Sequence, residues 1–423
     1  MLVHLRLSRE DEHDAIGEFR ELARSGGFSC AALVTGRREA PHQRWFVGEG
    51  KLAEIRALVQ EHAAEIVLFD HDLSPSQQRN VERALEVRAI TRTELILYIF
   101  AERAHTHEGK LQVELAQLEH ARTRLVRGWT HLDRQKGGIG MRGAGESQIE
   151  LDQRMLNERV RTIGKRLEVV RRRRGESRRK RHRKSVVTVA LVGYTNAGKS
   201  TLFNRLTDAQ AVAKNLLFAT LDPTLRRLPV HGTGEVVLAD TVGFIRQLPV
   251  SLVEAFKATL EEVAGADLLL HVIDAAADDV EAQSEQVRVV LREIGAGDLP
   301  VLEVMNKIDL VECEPRIDRD AEGRPIRVWS SAARGTGIDL LERALAERLG
   351  VRHRGLLVLL APEAGKTRSW LYRLGAVVCE EVREDGRLAM TLNVDDAARA
   401  RLARDPGVSL QGLQGVHRIS PSP

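Results

Sequence analysis

Cysteine and long apolar runs are scarce in this sequence. Its three cysteines, Cys30, Cys313 and Cys379, lie far apart in 423 residues and form no CxxC pair. That spacing argues against a disulfide framework and against a zinc ribbon, and it fits a reducing compartment. The longest uninterrupted apolar run, residues 95–101, has seven residues, whereas a membrane-spanning helix needs about 20. We therefore expect no membrane span and no disulfide or zinc staple.

The N-terminal residues also lack the features of an export signal. MLVHLRLSRE has neither a cationic leader before a long apolar stretch nor a small-residue cleavage site. The sequence therefore predicts a cytoplasmic protein. With 43% apolar and 29% charged residues, the composition is that of a globular protein, and its length corresponds to about three domains.

An excess of one charge is confined to a single segment. The whole chain carries a formal net charge of +4, and residues 171–184, RRRRGESRRKRHRK, hold ten Lys or Arg and one Glu. The rest of the chain is therefore net acidic. We expect a basic linker over residues 171–184. Its density of cations can neutralise several phosphates, which favours contact with RNA; a linker that contacts only solvent is the alternative. No aromatic residues alternate with the cations, so stacking on single-stranded bases is not indicated.

The first hundred residues alternate between strand-like and helix-like patterns. Strand-like apolar runs occupy residues 2–7, 31–34 and 66–69, and a helical pattern occupies residues 50–62. Ser74 followed by Pro75 is a typical helix start, with serine as the N-cap and proline in the first turn. The sequence predicts an N-terminal α/β subdomain over residues 1–104.

Two long helical segments with a seven-residue repeat follow. Their apolar positions are Leu111, Leu115, Leu118 and Leu125 in the first segment and Leu156, Val160, Ile163, Leu167 and Val170 in the second. Two such stripes joined by a loop predict an antiparallel helical hairpin over residues 105–184, and two independent core helices are the alternative.

The loop between these segments, residues 128–147, is rich in glycine and in cations. It holds six glycines together with Arg134, Lys136 and Arg142. Glycine allows close approach to a surface and the cations attract phosphate, so this tip loop is a candidate RNA contact. A disordered linker is the alternative, and ordering on RNA would be compatible with it.

A phosphate-binding loop follows the basic run. Residues 186–192 form a β-branched apolar run, and Gly193–Ser200, GYTNAGKS, match GxxxxGK[ST] between that run and a helical pattern. Backbone amides of such a loop surround phosphates, Lys199 brings charge to the β and γ oxygens, and the Ser200 hydroxyl can bind Mg²⁺. Two shorter segments, residues 48–51 and 365–367, lack the full spacing and are predicted to be helix starts.

Two further segments predict contacts with Mg²⁺ and the γ-phosphate. Asp240-Thr-Val-Gly243 ends a second apolar strand, where the acid can hold the Mg²⁺ shell and the Gly243 amide can reach the γ-phosphate. FATLDPT, residues 218–224, places Thr220 to bind Mg²⁺ when the γ-phosphate is present.

The base-binding elements predict guanine. A strand over residues 301–305 ends in Asn306-Lys-Ile-Asp309, and the Asp309 carboxylate can accept hydrogen bonds from guanine N1–H and from the 2-amino group that adenine lacks. A backbone amide of Ser331–Ala333 could reach guanine O6. These elements lie at the ends of successive strands, where ligands sit in an open α/β sheet.

We therefore predict a GTP/GDP site with Mg²⁺. The expected catalytic residues are Lys199, Thr220 and Gly243, and the expected metal ligands are Ser200 and Thr220. The residues expected to bind the nucleotide are Gly193, Tyr194, Thr195, Asn196, Ala197, Gly198, Lys199, Ser200, Thr201, Phe218, Ala219, Thr220, Leu221, Asp222, Asp240, Thr241, Val242, Gly243, Asn306, Lys307, Ile308, Asp309, Ser331, Ala332 and Ala333.

With these motifs, the chain resembles the HflX family of ribosome-associated GTPases, within the Obg–HflX group. Besides FATLDPT, the segments EGKLQVELAQL (108–118) and DRQKGGIGMRGAGESQIELD (133–152) are similar to family signatures, and the resemblance covers nearly all of residues 1–350. It implies an α/β fold: an N-terminal α/β subdomain, a helical hairpin with a Gly-rich tip loop, and a Ras-like P-loop G domain with a mostly parallel sheet. One departure is Thr91-Arg-Thr, where family members more often have Asp-Arg-Thr.

The resemblance also implies a function. It implies binding of the large (50S) ribosomal subunit and its rRNA, a role in splitting or rescuing stalled ribosomes under stress, and Mg²⁺ at Ser200 and Thr220. We expect the G domain over residues 185–350 and a small α+β domain over residues 351–423, a βαββ unit with a helix at 364–374. A monomer is expected.

Phe244, which follows the DxxG element, predicts slow hydrolysis in the absence of a partner. Many GTPases have glutamine there to orient the attacking water, and phenylalanine can neither donate nor accept that bond. We expect the ribosome to stimulate hydrolysis. Two alternatives remain open from the sequence: an adenine-specific P-loop ATPase or helicase, and a non-catalytic RNA-binding factor that uses GTP as a structural ligand. A small-molecule kinase is less favoured, since no acceptor pocket is evident.

Overall fold

Among the residues that it describes, the computed structural model of the chain contains three sheets, with a helical hairpin between the first two along the sequence. The structure describes residues 1–7, 12–133, 144–183, 186–207, 217–218, 224–228, 230, 236–246, 257–350, 356–374, 376–383, 385–392, 394 and 396–411. The mixed α/β fold class predicted from the sequence is confirmed.

The N-terminal sheet is parallel, with the strand order β2-β1-β3-β4. Its elements are β1 (Leu2–Arg6), α1 (Glu12–Ser25), β2 (Leu33–Arg37), α2 (Glu49–Glu61), β3 (Ile66–Phe69), α3 (Pro75–Leu85), β4 (Arg88–Thr91) and α4 (Arg92–Arg103). The second strand lies slightly later than the predicted residues 31–34, because pairing with β1 sets Leu33 opposite Leu2. Helix α2 begins next to Gly48, so the Gly-Lys segment there is a helix start, as predicted.

Two helices of this subdomain begin with a capping box. The Ser74 hydroxyl accepts a hydrogen bond from the Gln77 backbone amide at 3.2 Å, and the Ser74 amide donates to Gln77 Oε1 at 2.9 Å. Thr91 and Glu94 make the same reciprocal pair at the start of α4. Since threonine and aspartate both accept this bond, Thr91 replaces the more usual aspartate without loss of the cap.

The hairpin consists of α5 (His107–Asp133) and α6 (Ala144–Arg183). Arg159 of α6 pairs with Glu114 of α5, and Arg174, further along α6, pairs with the earlier Glu108. The two helices therefore run antiparallel. Among the repeat positions, Leu111 and Ile163 are buried, as expected for a mutual seam. Residues 134–143 of the Gly-rich loop, with Arg134, Lys136 and Arg142, lie outside the described residues.

Residues 171–183 of the basic run are helical, which corrects our prediction of a basic linker over residues 171–184. Residues 171–183 form the C-terminal turns of α6. Arginine and lysine favour helices, and cations near a helix C-terminus interact well with its dipole. Two of these arginines also contact neighbouring helices through ion pairs: Arg171 with Glu261 at 2.9 Å and Arg174 with Glu108 at 2.8 Å.

The central domain carries a seven-stranded sheet with the order β10-β11-β9-β8-β5-β7-β6, in which only the edge strands β10 and β6 are antiparallel to their neighbours. Its elements are β5 (Val187–Val192), α7 (Lys199–Thr207), β6 (Thr224–Leu228), β7 (Val236–Asp240), α8 (Lys257–Ala264), β8 (Leu268–Asp274), α9 (Val280–Glu293), β9 (Val301–Asn306), a 3₁₀ turn (Ile308–Leu310), β10 (Arg316–Arg319), β11 (Pro325–Trp329) and α10 (Ile338–Gly350). Apolar clusters on both faces bury the central strands, which explains their continuous apolar runs.

One hydrophobic core joins the N-terminal subdomain to the central domain. Leu217, Phe218, Val242 and Ile245 of the central domain pack with apolar side chains of α1, α4 and α5. The Phe218 ring lies edge-on to Phe100 of α4, with centroids 4.6 Å apart. The segments that flank the two predicted γ-phosphate contacts are therefore anchored in the N-terminal subdomain.

The C-terminal region has an antiparallel sheet with the order β13-β14-β12-β15. Its elements are β12 (Leu356–Leu360), α11 (Gly365–Arg373), β13 (Val377–Val382), β14 (Leu388–Leu392), α12 (Asp396–Leu402) and β15 (Val408–Gln411). The predicted βαββ unit is thus extended by a helix and a fourth strand, because β15 returns to pair with β12. Helix α11 begins at Gly365, so the second Gly-Lys segment is also a helix start.

In the part of the chain that the structure describes, no helix combines the length and the apolarity that crossing a bilayer would require.

Candidate functional site

The phosphate loop is a tight turn between β5 and α7 that requires glycine at two positions. Gly193 has φ +149°, and a Cβ there would lie 2.2 Å from the Val272 carbonyl oxygen. Gly198 has φ +92°, and a Cβ there would lie 2.2 Å from Asn306 Nδ2. Only glycine accepts this backbone and this close approach. Both glycines of the motif are therefore explained by the geometry.

Lys199 is a buried cation inside this loop. Its Nζ donates to the carbonyl oxygens of Gly193 at 3.0 Å and Tyr194 at 2.6 Å. Burial lowers the pKa of Lys199 to about 8, against the opposing effect of the nearby Asp240 carboxylate. An anion placed against the loop would favour the charged form of this side chain, as expected of a phosphate-binding lysine.

Ser200 and Asp240 bring two oxygen-bearing side chains together beside the loop. The Ser200 hydroxyl donates to Asp240 Oδ2 at 2.9 Å, and Asp240 is buried at the end of β7. Hard divalent cations prefer oxygen donors, and Mg²⁺ commonly takes few ligands from the protein and the rest from phosphate and water. The two residues therefore fit Mg²⁺. Thr220, the other expected ligand, lies outside the described residues, as do Ala219, Leu221 and Asp222.

The DTVG segment packs directly on the phosphate loop. The Phe244 amide donates to the Gly193 carbonyl at 3.1 Å, and the Thr195 amide donates to the Phe244 carbonyl at 2.7 Å. A Cβ on Gly243 would lie 2.9 Å from Lys199 Nζ. Gly243 thus lies next to the lysine that is predicted to share the γ-phosphate with it.

The Phe244 side chain faces away from this site. It is 2% exposed and belongs to the apolar cluster that contains Leu260, Val263 and Val287. Its ring therefore cannot orient an attacking water, whatever conformation the nucleotide imposes on the backbone nearby.

The predicted base pocket is assembled from three loops. Asn306, 2% exposed, donates from Nδ2 to the Ala197 carbonyl at 2.8 Å and accepts at Oδ1 from the Ala332 amide at 2.9 Å. Lys307 has φ +64° and donates to Asp274 Oδ2 at 2.6 Å. These bonds hold the phosphate loop, the Asn306–Asp309 segment and the Ser331–Ala333 loop in one arrangement.

Asp309 has a carboxylate oxygen that is ready to accept hydrogen bonds. Its Oδ1 is buried, and the described residues supply it with no hydrogen-bond partner. Its Oδ2 lies 3.6 Å from Arg334 Nε. A buried carboxylate oxygen without a donor is unfavourable, and the two donors on the guanine edge would satisfy it.

Phe218 and Val242 are predicted to contact the nucleotide, and their side chains lie away from a solvent-facing site. Both side chains lie in the core shared with the N-terminal subdomain, so only their backbone groups could face a nucleotide. The apolar character of the FAT and TVG segments was a signal for such a core.

Sequence reasoning missed one buried polar network beside the phosphate loop. The Tyr194 hydroxyl donates to Glu18 of α1, and Arg92 of α4 pairs with Glu18 and Asp70. Arg92 lies in the Thr-Arg-Thr segment, which differs from the more usual Asp-Arg-Thr of the family at Thr91. The partners are between 22 and 176 residues apart, and no local pattern joins them.

The chain matches three family models in succession. Residues 13–101 match the GTP-binding GTPase N-terminal model, residues 103–181 the GTP-binding GTPase middle region, and residues 188–307 the 50S ribosome-binding GTPase model. The chain is 54% identical to GTPase HflX of Escherichia coli strain K12 over 405 residues, which are 96% of this chain and 95% of that protein. The chain belongs to the HflX family of GTPases.

A second HflX protein is similar over the same extent. GTPase HflX of Magnetococcus marinus is 46% identical over 414 residues, 97% of this chain and 94% of that protein. A solved GTP-binding protein from Sulfolobus solfataricus in complex with GDP is 25% identical, with a TM-score of 0.44 over 83% of this chain and 98% of that chain. As an HflX GTPase, the chain binds GTP and hydrolyses it to GDP and phosphate.

Proposed function

We propose that this HflX GTPase is a nucleotide-controlled switch that binds the large ribosomal subunit and its rRNA and splits or rescues stalled ribosomes under stress. The observation that carries the proposal is the core shared by the two domains, in which Phe218 and Val242 pack against α1, α4 and α5. A change in the segments next to the γ-phosphate would therefore be transmitted to the N-terminal half. The match to the 50S ribosome-binding GTPase model supports the choice of partner.

The nucleotide is held by residues with distinct tasks in this proposal. Amides of Gly193–Ser200 and the Lys199 ammonium bind the phosphates, Asp309 selects guanine, and an amide of Ser331–Ala333 meets guanine O6. Mg²⁺, held at Ser200 and Thr220 with Asp240 in its outer shell, would neutralise charge on the β- and γ-phosphates. Lys199 and the Gly243 amide stabilise the charge that develops on the γ-phosphate oxygens.

Hydrolysis is slow in the absence of the ribosome in this proposal. The buried Phe244 ring offers the attacking water no hydrogen bond. The bound subunit raises the rate by ordering the Thr220 and Gly243 segments or by supplying the missing group. Hydrolysis then releases the hold on the N-terminal half, and the protein leaves the ribosome as a monomer in the cytoplasm.

The RNA contacts are proposed to lie on the hairpin. Arg134, Lys136 and Arg142 of the tip loop and the cations of residues 171–184 supply charge for phosphate contacts. The backbone of α6 is helical as far as Arg183, so these positions follow one another along a helix. Arg171 and Arg174 pair with Glu261 and Glu108, and these two ion pairs would compete with phosphate for the two arginines.

Sedimentation with purified subunits tests the proposal. The protein should pellet with the large subunit with a GTP analogue bound, and less with GDP or without nucleotide. Single-turnover hydrolysis should accelerate when large subunits are added. Binding that does not depend on the nucleotide, or a fast rate that subunits leave unchanged, would contradict it.

The hairpin contact has its own test. Replacing Arg134, Lys136 and Arg142 with alanine should weaken subunit binding while GTP affinity persists. Replacing Arg288, Arg292 and Arg324, exposed arginines of the central domain, makes the same change in charge and serves as the control. Equal loss of subunit binding in both variants would show that only net charge matters.

A further inference from the structure

Four buried side chains form a continuous chain of contacts from the N-terminal sheet to the phosphate loop. Arg92 donates to Asp70 Oδ1 at 2.5 Å and pairs with Glu18, and Glu18 accepts from the Tyr194 hydroxyl. The side chains of Arg92 and Glu18 are 7% and 9% exposed. Buried charges are stable only when paired and hydrogen-bonded, so the geometry of this chain of contacts is tightly set.

The network ends on the backbone that follows the DTVG segment. The Arg246 amide donates to the Tyr194 hydroxyl at 2.9 Å, and Arg92 Nη2 donates to the Arg246 carbonyl at 3.1 Å. Both backbone groups of Arg246, three residues after Gly243, are thus bound by side chains of the phosphate loop and of the N-terminal subdomain. The position of the Gly243 segment therefore depends on Glu18 and Arg92.

A second set of contacts holds the segment before Thr220. The Leu217 amide donates to Ser25 Oγ of α1 at 2.9 Å, and the Phe218 ring packs on Phe100. By contrast, Lys199 bonds to carbonyls of its own loop and Asn306 bonds to Ala197 and Ala332. The N-terminal subdomain thus contacts the segments that lead to the γ-phosphate, while the central domain itself organises the remainder of the site.

We propose that Glu18 and Arg92 are positioning residues of the GTPase site, which act through Tyr194 and Arg246 to hold the Gly243 amide in place for the γ-phosphate. A donor already aimed at developing charge stabilises the transition state without reorganisation. The inference rests on the proposed role of Gly243. Through Glu18 and Arg92 the N-terminal subdomain contributes to GTP recognition and hydrolysis, in addition to the motifs of the central domain.

The chemistry of Tyr194 suits this task. Burial and the adjacent Glu18 carboxylate raise the pKa of the Tyr194 phenol above its ordinary value. The hydroxyl therefore keeps its proton and can donate to Glu18 while it accepts from Arg246. Phenylalanine at this position would remove both bonds and leave the Arg92–Glu18–Asp70 charges paired.

The test compares nucleotides that differ in the γ-phosphate. The Tyr194 hydroxyl links Glu18 to the Arg246 amide, which follows the DTVG segment. Tyr194→Phe and Glu18→Ala should therefore each reduce the affinity for a GTP analogue and the single-turnover rate about five- to tenfold, the equivalent of about one hydrogen bond. GDP affinity should change less than about twofold in the same variants, since GDP lacks the γ-phosphate. Tyr194→Phe keeps the buried charges paired and is therefore expected to fold. Thermal melting of each variant checks that it is folded.

Two control variants and a double-mutant cycle complete the experiment. Glu61→Ala removes an exposed glutamate at the end of α2, which is not part of the network, and should leave every parameter unchanged. Glu18→Gln keeps an acceptor for Tyr194 and should retain more of the rate than Glu18→Ala. The double variant Tyr194→Phe/Glu18→Ala should be no worse than the poorer single variant, because both remove one linkage.

Three outcomes would overturn the inference: equal loss of GDP and GTP-analogue affinity, no change in either, or a rate that rises when the network is broken. These measurements use no ribosomes. A failure of the ribosome proposal would appear instead as the absence of subunit binding by the unchanged protein, so the two failures are distinguishable.

Discussion

Replacing Asp309 with asparagine should convert a guanine site into one that prefers xanthine. The Asp309 side chain is 15% exposed, and its buried Oδ1 accepts no hydrogen bond from the described part of the chain. Asparagine keeps one acceptor for N1–H but presents an NH₂ donor to the guanine 2-amino group. The variant thus loses one charge-assisted hydrogen bond and sets two donors against each other.

The magnitude follows from that loss. A hydrogen bond to a charged group contributes about 1.5–3 kcal/mol, so GDP affinity should fall about 10- to 150-fold. Xanthine carries a carbonyl oxygen at position 2, which the new amide can bind. XDP affinity should therefore rise above that of the unchanged protein while GDP affinity falls. A gain for one nucleotide and a loss for the other cannot arise from misfolding.

Equilibrium titration with fluorescent GDP, XDP and ADP measures these changes. Asp298→Asn, an exposed aspartate just before β9, makes the same chemical change away from the pocket and should alter none of the three affinities. Unchanged GDP affinity in Asp309→Asn, or parallel losses of GDP and XDP, would refute the assignment of Asp309 to the base edge.

Three further predictions follow from the packing and from the buried titratable groups. Gly193→Ala should abolish GDP binding and lower the melting temperature, since its Cβ would lie 2.2 Å from a carbonyl oxygen. Gly164→Ala, in α6 with open space around its Cβ, should raise the melting temperature slightly. Equal effects of the two substitutions would contradict the steric role of Gly193. The pKa of Lys199 is about 8, and phosphate favours its charged form, so GDP binding at pH 8.5 should take up protons and should weaken as pH rises further. Calorimetry in two buffers of different ionisation enthalpy measures the proton uptake. Identical heats of binding in the two buffers would contradict the prediction. Burial lowers the pKa of His271 to about 4 from an ordinary 6.5. Between these pH values the His271 imidazole stays neutral in the folded protein but binds a proton in the unfolded chain. The free energy of unfolding should therefore fall as pH drops from 6.5 towards 4, by on the order of 3 kcal/mol in total. Urea unfolding at pH 7 and pH 5 should show a smaller loss for His271→Gln, and equal losses would exclude this histidine as a cause.

Local patterns predicted the parts of this protein that are contiguous in the chain. The strand–turn–helix of Gly193–Ser200, the cap at Ser74 and the helix start at Gly365 each depend on a few neighbouring residues. The hairpin could be predicted because a seven-residue repeat fixes which face of a helix is buried. The charge density of the basic run predicts a linker, whereas the helix propensity of arginine favours the helix that residues 171–183 form.

Most of the predicted nucleotide residues that the structure describes also come together as expected. Asn306 bonds to both the phosphate loop and the Ala332 loop, as strand ends in one parallel sheet require. Their roles in binding remain predictions, and those of residues 219–222 lie outside the described residues. The side chains of Phe218 and Val242 are the exceptions, since they belong to a core that two domains share.

The sequence by itself determined the phosphate loop, the guanine motif and the family, because each depends on short segments whose spacing is set by a single turn or strand end. Only the tertiary structure decided how the N-terminal subdomain meets the site. The contacts of Glu18 and Arg92 with Tyr194 and Arg246 join residues that are far apart in the chain. Such partners become neighbours only when α1 and α4 pack against the loops that follow β5 and β7. The physical reason is that pairing of buried charges is enforced by the folded interior and leaves no periodic trace in the chain.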